Sequence, residues 1–121
     1  MCIKKGEIYL ANLGDKKELD IGKVRPVLVF QNNLLNRMLK DTTLKDVVVL
    51  PLSSQVRDND FAYFLKARDK LKKDSVVLCN AIKMIDSSRL MREDKVLLTL
   101  SENEIIDIEN ILYNLIGCNN K

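Results

Sequence analysis

Short segments rich in β-branched and aromatic residues recur between residues 7 and 100, and a single amphipathic helix follows them. Glycine, proline or polar residues bound these segments, which is the pattern of short strands joined by turns. About five to seven such strands followed by one helix predict a mainly β (α+β) fold, a small barrel closed by the C-terminal helix. The length of 121 residues matches one domain, so we expect a single folded unit over residues 1–121.

The segment DVVVLPLSS, residues 46–54, is nearly continuously apolar and β-branched. This composition predicts a strand that is buried on both faces until Pro51, which has no N–H, breaks its ladder. Short helical connections are predicted at residues 32–40 and 86–94, and the polar stretch 14–23 is expected to form a surface loop. The other predicted strands are EIYLAN (7–12), VRPVLVFQ (24–31), FAYFLKA (61–67), SVVLCNAIKMI (75–85, interrupted near Asn80 and Ala81) and residues 96–100.

The terminal helix is the most clearly delimited element of the sequence. Ser101 followed by Glu104 forms a capping box, and Gly117 is expected to end the helix. Acidic residues crowd its first half, where the helix macrodipole favours them, so they need no functional interpretation. The apolar face is predicted to comprise Ile105, Ile108, Leu112 and Leu115, with Ile111 and Ile116 beside it.

Composition excludes several classes of function. The chain has no histidine, which excludes catalytic triads, catalytic zinc and histidine-pair nuclease chemistry. Three widely spaced cysteines without a CxxC pair indicate reduced thiols, and we expect neither a metal nor a cofactor. The chain also lacks an apolar run long enough for a membrane span, so we expect no membrane association and a cytoplasmic protein. A net charge of +3 permits nucleic-acid binding without requiring it.

Two positions are candidates for chemistry on a phosphate. Arg25 stands where a glycine-containing loop returns into a strand, and its guanidinium can grip a phosphate bidentately. Ser53 and Ser54 offer hydroxyls at the end of the buried strand. Each has a simpler interpretation, a solvated arginine and turn serines that bond their own backbone, and from spacing alone the simpler interpretation is favoured.

Basic and aromatic residues are less specific signals. The run from Lys66 to Lys73 carries five positive charges and can attract RNA or an acidic peptide. A solvated hairpin also explains these charges, and this interpretation is favoured. Phe30, Phe61 and Phe64 are expected in the core rather than as platforms for stacked bases.

The succession of motifs resembles the MazF/PemK (Kid) family of bacterial type II toxins over nearly the whole chain. The motifs are KKGEIYLANLG, then GKVRPVLVFQNN, VVVLPLSSQ, DSVVLCNAIKMIDSSRL and the amphipathic helix. The resemblance implies an SH3-like β-barrel with short connecting helices and a C-terminal helix. It also implies a homodimer that cuts single-stranded RNA without a metal or cofactor and is silenced by a cognate antitoxin protein.

The resemblance also assigns roles to residues. Arg25 falls on the family's catalytic arginine, and Ser53 falls where the family usually has a catalytic threonine. Its implied substrate-binding residues are Lys23, Gln31, Ser54, Gln55, Asn80 and Lys83.

Several positions depart from the family pattern. Asn80 stands where members often carry Asp or Glu, Ala81 replaces a frequent Gln, and Lys23 follows Gly22 where a Gly-Gly pair is usual. Residues 57–73 match the family pattern least, and we expect this region to be shortened relative to typical members. Two alternatives therefore stay open: a non-catalytic toxin similar to CcdB, which binds DNA gyrase, and an RNA-binding relative that has lost activity.

Overall fold

The computed structural model describes residues 2–14, 24–39, 45–55 and 59–117, and these residues form seven strands, two α-helices and three short 3₁₀ turns. The strands are β1 (Glu7–Asn12), β2 (Val24–Val29), β3 (Asp46–Ser53), β4 (Ala62–Leu65), β5 (Ser75–Leu78), β6 (Lys83–Asp86) and β7 (Leu98–Thr99). The α-helices are α1 (Asn33–Met38) and α2 (Glu102–Ile116), and the 3₁₀ turns cover Cys79–Ala81, Ser87–Arg89 and Arg92–Asp94. The mainly β fold with a C-terminal helix is therefore confirmed.

The strands pair antiparallel in one sheet of order β4-β5-β3-β2-β1-β7, and β6 pairs with β3. The two ends of this order approach each other, because the Lys70 N–H after β4 donates to the Leu97 carbonyl before β7 at 2.9 Å. The sheet therefore curls round on itself, as a small barrel requires.

Strand β3 lies at the centre of the sheet. Its side chains alternate between two apolar clusters, with Val47 and Val49 in one and Leu50 and Leu52 in the other, so the predicted burial on both faces is confirmed. The ladder between β2 and β3 ends at Pro51 as predicted, although β3 itself runs on to Ser53. On one side β3 pairs with β6 up to Val49 and with β5 from Leu52, so Pro51 falls where the partner strand changes.

Helix α2 covers one face of the sheet. Ile108 is fully buried in the cluster that contains Leu50 and Leu52, and Ile105, Ile111 and Leu112 pack against it. The capping box is present as predicted, with Ser101 Oγ accepting from the Glu104 N–H at 3.2 Å. Ile116, predicted beside the apolar face, is instead 77% exposed.

Gly117 ends α2 as predicted, but its conformation does not explain why a glycine is needed. Its φ of −85° and ψ of −178° are extended values that any residue can adopt. A Cβ at this position would lie 2.4 Å from the Tyr113 carbonyl oxygen, which accepts the Gly117 N–H. The helix end therefore requires glycine for space.

The phenylalanines that were predicted in the core differ in their burial. Phe30 is buried, whereas Phe64, predicted in the core, is 52% exposed on β4 at the end of the sheet. None of the helices in the described part of the chain has the length and apolar character that a membrane-spanning helix requires.

Candidate active site

A cleft of about 740 Å³ opens where β2 and β3 approach the loop between β4 and β5. Its lining combines apolar, hydroxyl-bearing and positively charged side chains: Leu10, Val24, Arg25, Pro26, Pro51, Leu52, Ser53, Ser54, Gln55, Lys70, Leu71, Lys72, Lys73, Ser75, Leu78 and Leu97. Arg25 and Ser53, the two candidate catalytic residues, both contribute to this lining.

Strand pairing explains why Arg25 and Ser53 come together. The ladder between β2 and β3 ends at the pair Val27 and Pro51. Arg25 lies two residues before Val27, and Ser53 lies two residues after Pro51. Because side chains alternate along a strand, Arg25 shares a face with Val27, and Ser53 shares a face with Pro51. Val27 and Pro51 are themselves paired and point to the same face of the sheet. The two candidates therefore extend from adjacent strands on the same face.

The guanidinium of Arg25 is available to a ligand. Arg25 is exposed at the start of β2, where its backbone is paired with Ala11. Its side chain donates to the neighbouring Val24 carbonyl at a long 3.4 Å, and it forms no ion pair with a described residue. A charge held on a rigid strand without a carboxylate partner is suited to bind an anion.

Ser53 combines a structural bond with a free donor. Its Oγ accepts the Gln55 N–H at 3.1 Å, which is the local backbone bond expected of a turn serine. That bond fixes the oxygen, while the hydroxyl proton can still be donated into the cleft. The structural and the functional interpretation of Ser53 are therefore compatible. Ser54 and Gln55, exposed at the same strand end, complete this wall.

Three further residues implied by the family resemblance, Gln31, Asn80 and Lys83, lie outside the cleft. Gln31 is buried, its amide nitrogen donates to Asn36 Oδ1 and its amide oxygen accepts the Val48 N–H, so its side chain joins α1 to β3 outside the cleft. Asn80 and Lys83 are exposed and do not line the cleft. Lys23 lies outside the described residues.

Three lysines of the cleft were not predicted as site residues. Lys70, Lys72 and Lys73 come from the basic run, for which the sequence favoured a solvated hairpin. Arg68 of the same run does not line the cleft. It forms a bidentate ion pair with Glu104 of α2 instead, with bonds of 2.9 and 2.6 Å. The charge density of the run was the available signal, but only tertiary packing shows which of its cations face the cleft.

The ion pair behind the cleft changes the ionisation of Glu104. Hydrogen bonding from the Arg68 guanidinium lowers the pKa of the Glu104 carboxyl. Partial burial acts in the opposite direction and raises this pKa, whereas the hydrogen bond from the Ser101 N–H lowers it further. Nearby, burial and a hydrogen bond to Asp107 raise the pKa of Tyr63 to about 12. These acids of α2 therefore do more than complement the helix dipole, because they bind side chains that precede β5.

Comparisons with known proteins agree with this architecture. Residues 4–116 match the family model described as a PemK-like, MazF-like toxin of type II toxin-antitoxin systems. The chain is 31% identical over 118 residues to the Endoribonuclease MazF of Staphylococcus epidermidis, covering 98% of this chain and 94% of that protein.

Solved structures show the same fold at lower sequence identity. A mycobacterial endoribonuclease in complex with its cognate antitoxin superposes with a TM-score of 0.72 at 21% identity, covering 98% of this chain and 99% of that one. The MazE-MazF structure from Deinococcus radiodurans gives a TM-score of 0.71 at 19% identity over 98% of this chain and 99% of that one. Because the family model matches residues 4–116, which is nearly the whole chain, the chain belongs to the PemK-like, MazF-like toxin family of type II toxin-antitoxin systems.

Proposed function

We propose that this chain is a toxin endoribonuclease that cleaves single-stranded RNA and thereby inhibits translation and growth. The observation that carries the proposal is the convergence of Arg25 and Ser53 on one cleft, in which every charged lining residue that the structure describes is positive. RNA presents one negative phosphate per nucleotide, so such a cleft favours its backbone over neutral ligands. The Staphylococcus epidermidis relative bears the name of the same activity.

The proposed reaction uses the 2′-hydroxyl of the RNA as nucleophile. Its oxygen forms a bond to phosphorus as the bond to the 5′-oxygen breaks, the 2′-proton is removed, and a proton reaches the leaving 5′-oxygen. The products are a 2′,3′-cyclic phosphate and a 5′-hydroxyl. Arg25 stabilises the charge that develops on the non-bridging oxygens, and the Ser53 hydroxyl donates to the same phosphate.

The role of Arg25 is electrostatic in this proposal. A guanidinium stays protonated at physiological pH, which makes it a steady source of charge and a poor conventional general acid. The chain has no histidine to move the protons, so holding the phosphate in line and stabilising charge are the principal contributions of the protein.

The partners we propose are single-stranded RNA, a cognate antitoxin protein and a second copy of this chain. The antitoxin is supported by the mycobacterial and Deinococcus structures, in which related toxins are bound to theirs. The dimer is supported by exposed apolar side chains on β6 and α2, including Met84 at 61% and Ile116 at 77%. Sedimentation at micromolar concentration should show a dimer, and a monomer alone would contradict this part.

Arg25→Ala tests the activity. It should reduce RNA cleavage by on the order of 100-fold or more, as loss of a transition-state charge contact does, without changing the unfolding midpoint. Arg37→Ala is the matched control, because Arg37 is an exposed arginine on α1 outside the cleft. A fully active Arg25→Ala protein would remove the main assignment.

The product ends test the mechanism. A substrate with 2′-deoxyribose at the cut site should resist cleavage, and mass spectrometry of natural products should find the cyclic phosphate. A 5′-phosphate end would mean that water is the nucleophile. A wild-type protein that cuts no RNA but inhibits DNA gyrase would support the CcdB-like alternative.

A further inference from the structure

The loop between β4 and β5, residues 66–74, places three lysines in the cleft. We call this segment the lysine loop. Lys70, Lys72 and Lys73 line the cleft together with Arg25, whereas Lys66 and Arg68 of the same loop do not.

The lysine loop is held in place by contacts along its length. Leu71, between two of the lysines, is buried at 5% exposure in the apolar cluster that contains Leu50 and Leu52. The Lys70 N–H donates to the Leu97 carbonyl at 2.9 Å, and the Ala67 N–H donates to Asp74 Oδ1 at 2.8 Å. Arg68 ties the loop to α2 through Glu104. The three lysines therefore project from a fixed backbone.

Among the described residues, no acidic side chain lines the cleft beside its cations. Among its described lining residues the charged side chains are Arg25 and the three lysines, and none is acidic. No ion pair joins any of these four cations to a carboxylate in the described residues. The net charge of the whole chain is only +3, so this cleft concentrates charge that the rest of the surface balances. Like charges gathered without partners repel each other, and a bound polyanion relieves that repulsion.

We propose that the lysine loop is a phosphate-binding wall that holds the RNA nucleotides flanking the one cleaved at Arg25. This inference rests on the proposed function, and it adds a binding surface to the two catalytic candidates. A lysine ammonium acts on a phosphate as a point charge, so contacts of this kind fix the position of the strand without reading its bases. The absence of aromatic side chains from the described lining agrees with binding through the backbone rather than through stacked bases.

RNA is favoured over an acidic peptide as the occupant. The lysines lie in the cleft that contains Arg25 and Ser53, so an RNA held with a phosphate at those residues continues along the same walls. RNA carries a negative charge on every nucleotide, so neighbouring phosphates of one strand can each contact one of the closely spaced lysines at positions 70, 72 and 73. The backbone that carries these lysines is held by the contacts described above.

The test replaces all three lysines. The variant K70Q/K72Q/K73Q removes three cleft charges, and K4Q/K45Q/K95Q removes three charges from exposed lysines outside the cleft. Binding of a fluorescent, uncleavable 2′-O-methyl RNA of mixed sequence is measured from low to moderate salt. The cleft variant should flatten the slope of log K against log salt by about 2, since each phosphate contact on a single strand contributes about 0.7. The control variant should keep the wild-type slope.

Three outcomes would overturn the inference. The cleft variant can keep the wild-type slope, both variants can lose slope equally, or the cleft variant can bind RNA normally while losing binding to poly-glutamate, which would assign the loop to an acidic peptide. Unfolding midpoints confirm that each variant folds. Failure of the proposed function is separate, because it appears as wild-type protein that does not cleave RNA, whatever its salt slope.

Discussion

Breaking the ion pair between Arg68 and Glu104 should weaken the attachment of the lysine loop to α2. The guanidinium donates two hydrogen bonds to the carboxylate, of 2.9 and 2.6 Å, and the Glu104 side chain is only 18% exposed, which favours a measurable interaction. Arg68 is 39% exposed, so water screens the pair. We therefore expect a coupling free energy of about 1 kcal/mol, at the upper end of the range for exposed pairs.

Glu104 has a second role that the experiment must separate. Its Oε1 also accepts the Ser101 N–H at 2.8 Å in the capping box. Glu104→Gln keeps an amide oxygen for that bond while removing the charge, whereas Glu104→Ala removes both. A double-mutant cycle with Arg68→Ala and Glu104→Gln, measured by urea unfolding at pH 7, therefore isolates the ion pair.

The coupling free energy between Arg68 and Glu104 should depend on pH, and this dependence tests the ion pair. The folded state lowers the pKa of Glu104 below its ordinary value of 4.5, chiefly through Arg68. The stabilisation should therefore be fully present above pH 4.5 and should be lost as the pH falls through the lower folded pKa. A coupling that is equal at pH 7 and at pH 2, or zero at pH 7, would refute this account.

Three further substitutions test the cleft and its support. Ser53→Ala should reduce cleavage by roughly 10-fold or more through loss of a donor to the phosphate, while Ser53→Thr should keep or improve it, because the added methyl restricts the hydroxyl rotamer; equal rates for all three proteins would remove Ser53 from the mechanism. Asn80→Asp should leave the pH profile of cleavage unchanged, since Asn80 lies outside the cleft lining, and a newly acquired acidic limb would show that this position reaches the RNA. Leu71→Ala should lower the free energy of unfolding by about 2–5 kcal/mol, as for a buried leucine, and an effect below about 0.5 kcal/mol in chemical denaturation would show that the loop is not anchored there.

Local patterns were sufficient for most of the secondary structure. Alternation predicted β1 at its observed bounds, and the capping box placed the start of α2. These features depend on neighbours within a few residues, so they can be read from the sequence. The end of the ladder at Pro51 could also be predicted, but the continuation of β3 to Ser53 could not, because it depends on β5 replacing β6 as the partner strand there.

The sequence by itself determined the succession of strands, the terminal helix and the two catalytic candidates, Arg25 and Ser53. Tertiary structure alone decided that these two residues line the same cleft and that the Gln31 side chain bonds α1 and β3. It also decided that the lysines of the basic run line the cleft while Arg68 pairs with Glu104. The physical reason is that the direction and environment of a charged side chain depend on contacts between residues far apart in the chain. Arg68 and Glu104 are 36 residues apart, and no local pattern distinguishes Arg68 from the lysines that follow it.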